Sequence, residues 1–241
     1  MPSALYVDAA AQVALARRLD SIAANIANAT TPGYRADGVK FDSLVSATGG
    51  RNVAFPAAGR DYITTAAGPL SRTGGPLDLA VRGAGWFALQ SPDGPVYTRD
   101  GRFEMATTGE LRSVNGYPVL DASGAPISVE AAGGPIAIAG DGMISQRGRQ
   151  VGAMGLFAFP PGADLTRYDN SSVIPDQPAI PVLDFVANGI VQGYVEQSNV
   201  NPVRELTRLI EVQRAFDNIT ASADMIDGAR LDAIKTLGAV A

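Results

Sequence analysis

The sequence predicts a mainly β protein with helical ends: a central antiparallel β domain, plus N- and C-terminal helices that pair as a coiled-coil-like assembly element. Near both termini apolar residues recur at alternating steps of three and four, the period of a helical seam. Between them, turn dipeptides recur mostly every seven or eight residues, the rhythm of short antiparallel strands. These shifts divide the chain into an N-terminal assembly helix at 1–34, an irregular connector at 35–76, a β domain at 77–194 and a C-terminal assembly helix at 195–241.

In the first helix Leu15, Leu19, Ile22, Ile26 and Ala29 form the seam. Leu5 extends it backwards past Asp8 and Gln12, which weaken it, and Ser3 is the candidate cap. Pro32 disfavours a helical Thr31 and Gly33 accepts a left-handed turn, so the helix is expected to stop there. From Tyr34 to Gly75 there is little periodicity. Thr48-Gly49-Gly50, Pro56 and Gly59 mark an irregular connection, with one short strand expected near Tyr62–Thr65.

The β pattern starts at Leu77-Asp78-Leu79-Ala80-Val81, followed by the apolar run Trp86-Phe87-Ala88-Leu89 and by Val96-Tyr97-Thr98. Asp93-Gly94, Asp100-Gly101, Thr108-Gly109, Asn115-Gly116, Ser123-Gly124, Gly133-Gly134 and Asp141-Gly142 supply the turns. Strands are also expected at Pro118–Leu120, Ile127–Val129, Ile136–Ile138 and Leu156–Phe159, and a last one at Ile190–Tyr194, with Asp164–Pro181 read as a loop. Asn201 then caps a helix whose first position is Pro202. Leu209, Val212, Phe216, Ile219, Ala223, Ile226, Arg230, Ala233 and Leu237 form its seam, and Glu205, Arg208, Glu211, Arg214 and Asp217 alternate in sign as a solvated flank. At 1.5 Å per residue this helix runs roughly 50 Å. Neither helix has an evident cover within its own chain, so both are expected to be poorly ordered in the free subunit.

Composition narrows the function. The chain has no cysteine and no histidine, which removes disulfides, thiolates, Ser-His-Asp triads and most metal sites. A net charge of −5 opposes nucleic-acid binding. No apolar run of about 18 residues exists to span a membrane. The N-terminus, broken by Asp8, Gln12, Arg17, Arg18 and Asp20, does not read as a cleaved signal peptide. Gly83-Ala84-Gly85-Trp86-Phe87-Ala88 spells a dinucleotide fingerprint but leads into a strand, so its glycines read as a bend. Asp93, Asp100, Glu104 and Glu110 sit in or beside hairpin turns rather than as a glycosidase pair, and Asp141-Gly142 lacks the further ligands of a calcium loop. No enzyme and no cofactor is expected. A self-assembling structural protein is the leading reading, and a secreted β-domain binding module the alternative.

Three ordered runs add a resemblance. SIAANIANATTPGY at Ser21–Tyr34 resembles the N-terminal signature of the bacterial flagellar axial proteins of rod and hook, with Ala24-Asn25 where two asparagines are usual. LDLAVRGAGWF at Leu77–Phe87 and YTRDGRF at Tyr97–Phe103 resemble the central signature, with Trp86 replacing the commoner phenylalanine. SNVNPV at Ser198–Val203, followed by LIEVQRAF at Leu209–Phe216, resembles the third. Length and Asn201-Pro202 are similar to the proximal-rod members, with distal-rod and hook-type members as the alternative. The resemblance implies export by the flagellar type III apparatus without a cleaved signal peptide. It implies polymerisation with itself and other rod proteins into the periplasmic drive shaft of the basal body, with helices lining the inner tube and the β domain outside. The assembly interface is then expected at Leu15, Leu19, Ile22, Asn25, Ile26 and Asn28 of the first helix and at Leu209, Val212, Phe216, Ile219 and Ile226 of the second.

Overall fold

The computed structural model describes residues 2–40, 43–48, 51–56 and 60–238, with only the backbone at 2–8, 43–48, 51–56 and several positions from 226 onward. The chain runs α1 (Pro2–Ala27), β1 (Asp37–Lys40), β2 (Ser43–Thr48), β3 (Arg51–Pro56), β4 (Arg60–Ile63), β5 (Leu70–Arg72), β6 (Leu79–Arg82), β7 (Trp86–Ser91), β8 (Gly94–Thr98) and β9 (Phe103–Met105). It continues through β10 (Leu111–Ser113), β11 (Ile136–Ile138), β12 (Met143–Gln146), β13 (Arg149–Ala153), β14 (Leu156–Ala158) and β15 (Leu165–Arg167). It ends with β16 (Ser172–Pro175), β17 (Ile180–Pro181), β18 (Gly189–Gln192), β19 (Tyr194–Glu196) and α2 (Pro202–Gly238). The protein is mainly β with two helices that touch each other. Two compact units result: a helical unit of residues 1–27, 37–62 and 201–241, and a β unit of residues 28–36 and 63–200.

In the β unit a six-stranded sheet has the order β15-β16-β8-β7-β14-β17 with antiparallel neighbours. Successive side chains of a strand point to opposite faces. Accordingly Phe87 and Leu89 of β7 enter one core with Leu79, Leu111 and Ile144, while Trp86 and Ala88 enter another with Tyr97, Phe157 and Val173. Coverage of both faces explains why β7 reads as an unbroken apolar run rather than an alternation. Phe87 meets Phe103 edge-on at 5.1 Å between centroids, and Tyr97 meets Phe157 at 5.6 Å. Gly83 turns the chain between β6 and β7 at φ +95°, and a Cβ there would lie 2.5 Å from Asn188 Oδ1. The fingerprint glycines thus form a bend, and the segment leads into a strand.

Several expectations need correction. The connector expected to be irregular but for one short strand near Tyr62–Thr65 carries β1 to β5, of which β4 overlaps the expected strand, and includes a β2–β3 pair in register from Ser43↔Pro56 to Thr48↔Arg51. Its small and polar residues give no clear alternation, so the strands show only in their backbone pairing. The turn signals Gly49-Gly50 and Gly59 lie outside the described residues. The expected loop at Asp164–Pro181 supplies β15, β16 and β17 to the main sheet. Conversely Pro118–Leu120 and Ile127–Val129 are tied by isolated bridges such as Leu120↔Pro126 rather than full ladders. Pro118, and Pro126 just before the second segment, have no N–H to continue one. The first helix ends at Ala27, earlier than expected, and Thr31 N instead closes a turn on the Asn28 carbonyl at 3.1 Å.

The second helix begins as the sequence predicts. Asn201 Oδ1 accepts from Arg204 N at 3.1 Å and Pro202 holds the first helical position. Asn201→Ala is expected to cost about 1 kcal/mol. A lower urea midpoint of the helical signal in far-ultraviolet circular dichroism checks this, and an unchanged midpoint counts against the cap. Among the described residues, no helix is long and apolar enough to cross a membrane.

Candidate assembly site

In the helical unit α1 and α2 run antiparallel. Gln12 Nε2 donates to Thr220 Oγ1 at 3.4 Å, whereas further along α1 Asn25 Nδ2 reaches Glu205 Oε2 at 3.5 Å. Ala14, Ile22 and Asn25 are buried on α1, with Leu15, Leu19 and Ile26 half-buried beside them. On α2 Val212 is buried and Leu209, Phe216 and Ile219 are half-buried. The side chain of Ile226 lies outside the described residues, as do those of Ser3, Leu5 and Asp8. The helices therefore cover part of each other's seam within one chain: the expected contact between the terminal helices is present, while the expectation that neither has an internal cover is corrected. Glu205 is a second correction. It is 5% exposed rather than solvated, since Asn25 and Arg208 Nη1, at 2.6 Å from Glu205 Oε1, partner it.

Asn25 acts by reading a peptide. Its Nδ2 donates to the Asp37 carbonyl at 2.9 Å and its Oδ1 accepts from Asp37 N at 2.8 Å, while Ser21 Oγ donates to the same carbonyl at 3.1 Å. This latch fixes β1 to the end of α1 and leaves the signature asparagine buried at 2% exposure. Asn28, by contrast, lies in the β unit, where Thr31 Oγ1 donates to its Oδ1 at 3.1 Å.

Within the β unit the central signature and residues flanking the other two meet around one carboxylate. Glu196 Oε1 stands 2.7 Å from Arg35 Nη2 and accepts from Gly68 N at 2.9 Å, and its Oε2 accepts from Arg99 Nη1 at 3.1 Å. Arg35 Nη1 also donates to the Ala66 carbonyl, and Arg99 Nη2 to Gly83 O at 2.7 Å. Both guanidinium groups stack on Trp86, at 5.5 and 5.2 Å from the ring centroid. All three charged side chains are almost fully buried. Burial pulls the Arg35 pKa down against the opposing pull of Glu196. Burial, helped by the Arg35 charge, brings Arg99 down to about 10 although Glu196 raises it.

Backbone contacts complete the clasp. Gly33 N donates to the Glu196 carbonyl at 2.8 Å and Asn199 N to the Tyr34 carbonyl at 3.3 Å. Asn199 Oδ1 accepts from Ala36 N at 2.8 Å and its Nδ2 donates to Ala66 O at 2.7 Å. Gly33 adopts φ +70°, and a Cβ on it would lie 2.1 Å from Asp100 N, so glycine alone permits this approach. Sequence patterns assign no role to Arg35, Arg99 or Glu196. The available signal is a charge set among strand residues in or beside each signature, but spacing alone does not pair residues 35, 99 and 196.

The arrangement is thus a charged clasp inside the β unit and, in the helical unit, a pair of helices whose seams cover each other in part. Family profiles agree along the chain: flagella basal body rod protein at residues 5–35, flagellar hook protein FlgE/F/G D1 domain at 80–146, and flagellar basal body rod FlgEFG protein C-terminal at 191–230. The chain is 51% identical to the flagellar basal-body rod protein FlgF of Mesorhizobium japonicum and 44% identical to that of Rhizobium meliloti, over 99% of each chain. It is 30% identical to the flagellar basal-body rod protein FlgG of Bacillus subtilis, over 87% of this chain and 90% of the relative. The chain belongs to the flagellar basal-body rod protein family, whose members are structural proteins and not enzymes.

Proposed function

We propose that this protein is a subunit of the proximal part of the flagellar rod, and that it polymerises with itself and with other rod proteins through its terminal helices. The interface comprises Leu15, Leu19, Ile22, Asn25, Ile26 and Asn28 with Leu209, Val212, Phe216, Ile219 and Ile226, and the assembled rod is the periplasmic drive shaft needed for motility. The flagellar type III apparatus delivers the subunit. The observation that carries this reading is the mismatch between the two helices. α2 has 37 residues against the 26 of α1, and its distal part holds Met225 and Leu231 in solvent at 70% and 58% exposure. These two apolar side chains lie outside the Leu209–Leu237 seam, and apolar surface left in water beyond the helix contact needs a neighbour to bury it. Full-length likeness to the FlgF relatives favours the proximal over the distal rod. Deleting the gene and purifying detergent-extracted basal bodies tests the reading: rods should be lost, motility abolished, and both restored by the intact gene. Normal rods without the protein would overturn it.

A further inference from the structure

The β unit carries a groove of 460 Å³ with Trp86 and Arg99 among its lining residues, walled by Phe159, Pro160, Pro161 and Leu165. That volume is in the usual range for ligand pockets, about 300–1,000 Å³. Its chemistry is apolar with one cationic spot. Two buried guanidinium groups share the single Glu196 carboxylate, leaving one positive charge in excess, and Arg99 Nε has no hydrogen-bond partner among the described residues. A carboxylate brought into the groove would offset that charge where water screens little.

The same unit presents a segment of matching chemistry. In the 182–187 loop Val182 and Phe185 pack against the core, whereas Leu183 and Val186 are 89% and 92% exposed. Anchoring through Val182 and Phe185 holds this apolar pair out in water. Between them lies Asp184, whose Oδ1 accepts from Val186 N at 2.9 Å and whose carboxylate retains lone pairs for another donor. The loop is also tied to the groove rim, because Asn188 Oδ1 accepts from Ala84 N at 2.8 Å and Ala84 lines the groove. Groove and loop therefore share one surface, the arrangement an isologous pair requires.

We propose that this groove seats the Leu183–Val186 loop of a second copy of the chain, in a reciprocal pair with Asp184 directed at the Arg99 guanidinium. This pairing is separate from the helix-driven assembly proposed above and does not depend on it. Trp86 is the sole tryptophan of the chain, so its fluorescence reports the groove directly. Titrating the full-length protein with an acetylated, amidated peptide of residues 182–187 should change Trp86 emission saturably. The peptide carrying Asp184→Asn should bind about tenfold more weakly, since a charge-assisted bond is lost. In sedimentation velocity the wild type should show a concentration-dependent dimer. Leu183→Ser/Val186→Ser and the rim-blocking Ala84→Tyr should each abolish it, and Phe216→Asp should leave it intact. Three outcomes overturn the proposal: no change in Trp86 emission, equal binding of the peptides with and without Asp184→Asn, or a dimer that survives both surface variants. Loss of the dimer in Phe216→Asp alone would place self-association in the helices, sinking the groove while leaving the rod assignment standing.

Discussion

Glu196→Ala should destabilise the β unit by about 3–5 kcal/mol, because removing one partner of a buried ion pair leaves uncompensated charge behind. Here two guanidinium groups are left, each nearly fully buried and held near the same tryptophan. The loss also frees Gly68 N, which donates to the carboxylate at 2.9 Å. Arg112→Ala is the control. It breaks a pair of 2.6 Å to Glu110, shorter than the 2.7 and 3.1 Å pairs of Glu196, but Arg112 is 46% exposed and the expected cost is about 0–1 kcal/mol. Urea unfolding followed by Trp86 fluorescence reads both variants. Equal midpoints would show that the buried carboxylate does not hold the clasp. Because residues 35 and 196 flank the two chain ends on their way out of the β unit, the variant should also release the 28–36 segment to proteases before the strands melt.

Phe216→Asp should abolish rod formation while the β unit stays folded. Phe216 is half-buried in the single chain, next along the α2 seam from the fully buried Val212. Burying a large apolar side chain is worth about 1.5–3 kcal/mol, and an unpaired buried charge costs several more. In a polymer the loss recurs at every subunit. Glu211 is exposed on the charged flank of the helix, so Glu211→Gln removes at most a surface interaction worth roughly 0–1 kcal/mol and should permit assembly. Motility and basal-body purification decide, in strains carrying each variant as the sole copy with protein levels matched. Normal rods with Phe216→Asp would refute the seam. Failure of both variants would show that the charged flank is an interface too.

The internal helix contact refines this picture. Gln12 to Thr220 and Asn25 to Glu205 already order part of both helices in one chain. The proposed polymerisation would then have less conformational entropy to offset than with two disordered ends. In the proposed polymer a neighbour would compete with an existing contact where α1 meets α2, whereas Met225 and Leu231 offer it uncovered apolar surface.

Local sequence signals indicated two seamed helices at the ends, a punctuated β middle, the Asn201-Pro202 start of α2 and the glycine bend at Gly83. Each is set by short-range chemistry, by which side chain can cap, turn or repeat at 3.6 or 2 residues, and such chemistry is written locally. The three signature runs, read together, also indicated the family. Only the tertiary structure decided the rest. Strands β1 to β3, β5 and β15 to β17 are too short or too polar to show an alternation and exist because a partner strand satisfies their backbone. Spacing puts Glu205 on a solvated flank, and the packing of Asn25 and Arg208 against it puts it inside instead. Arg35, Arg99 and Glu196 stand far apart in the chain, and no periodicity links them. Burial makes them a unit, since charge removed from water must find its opposite wherever the fold brings one within reach.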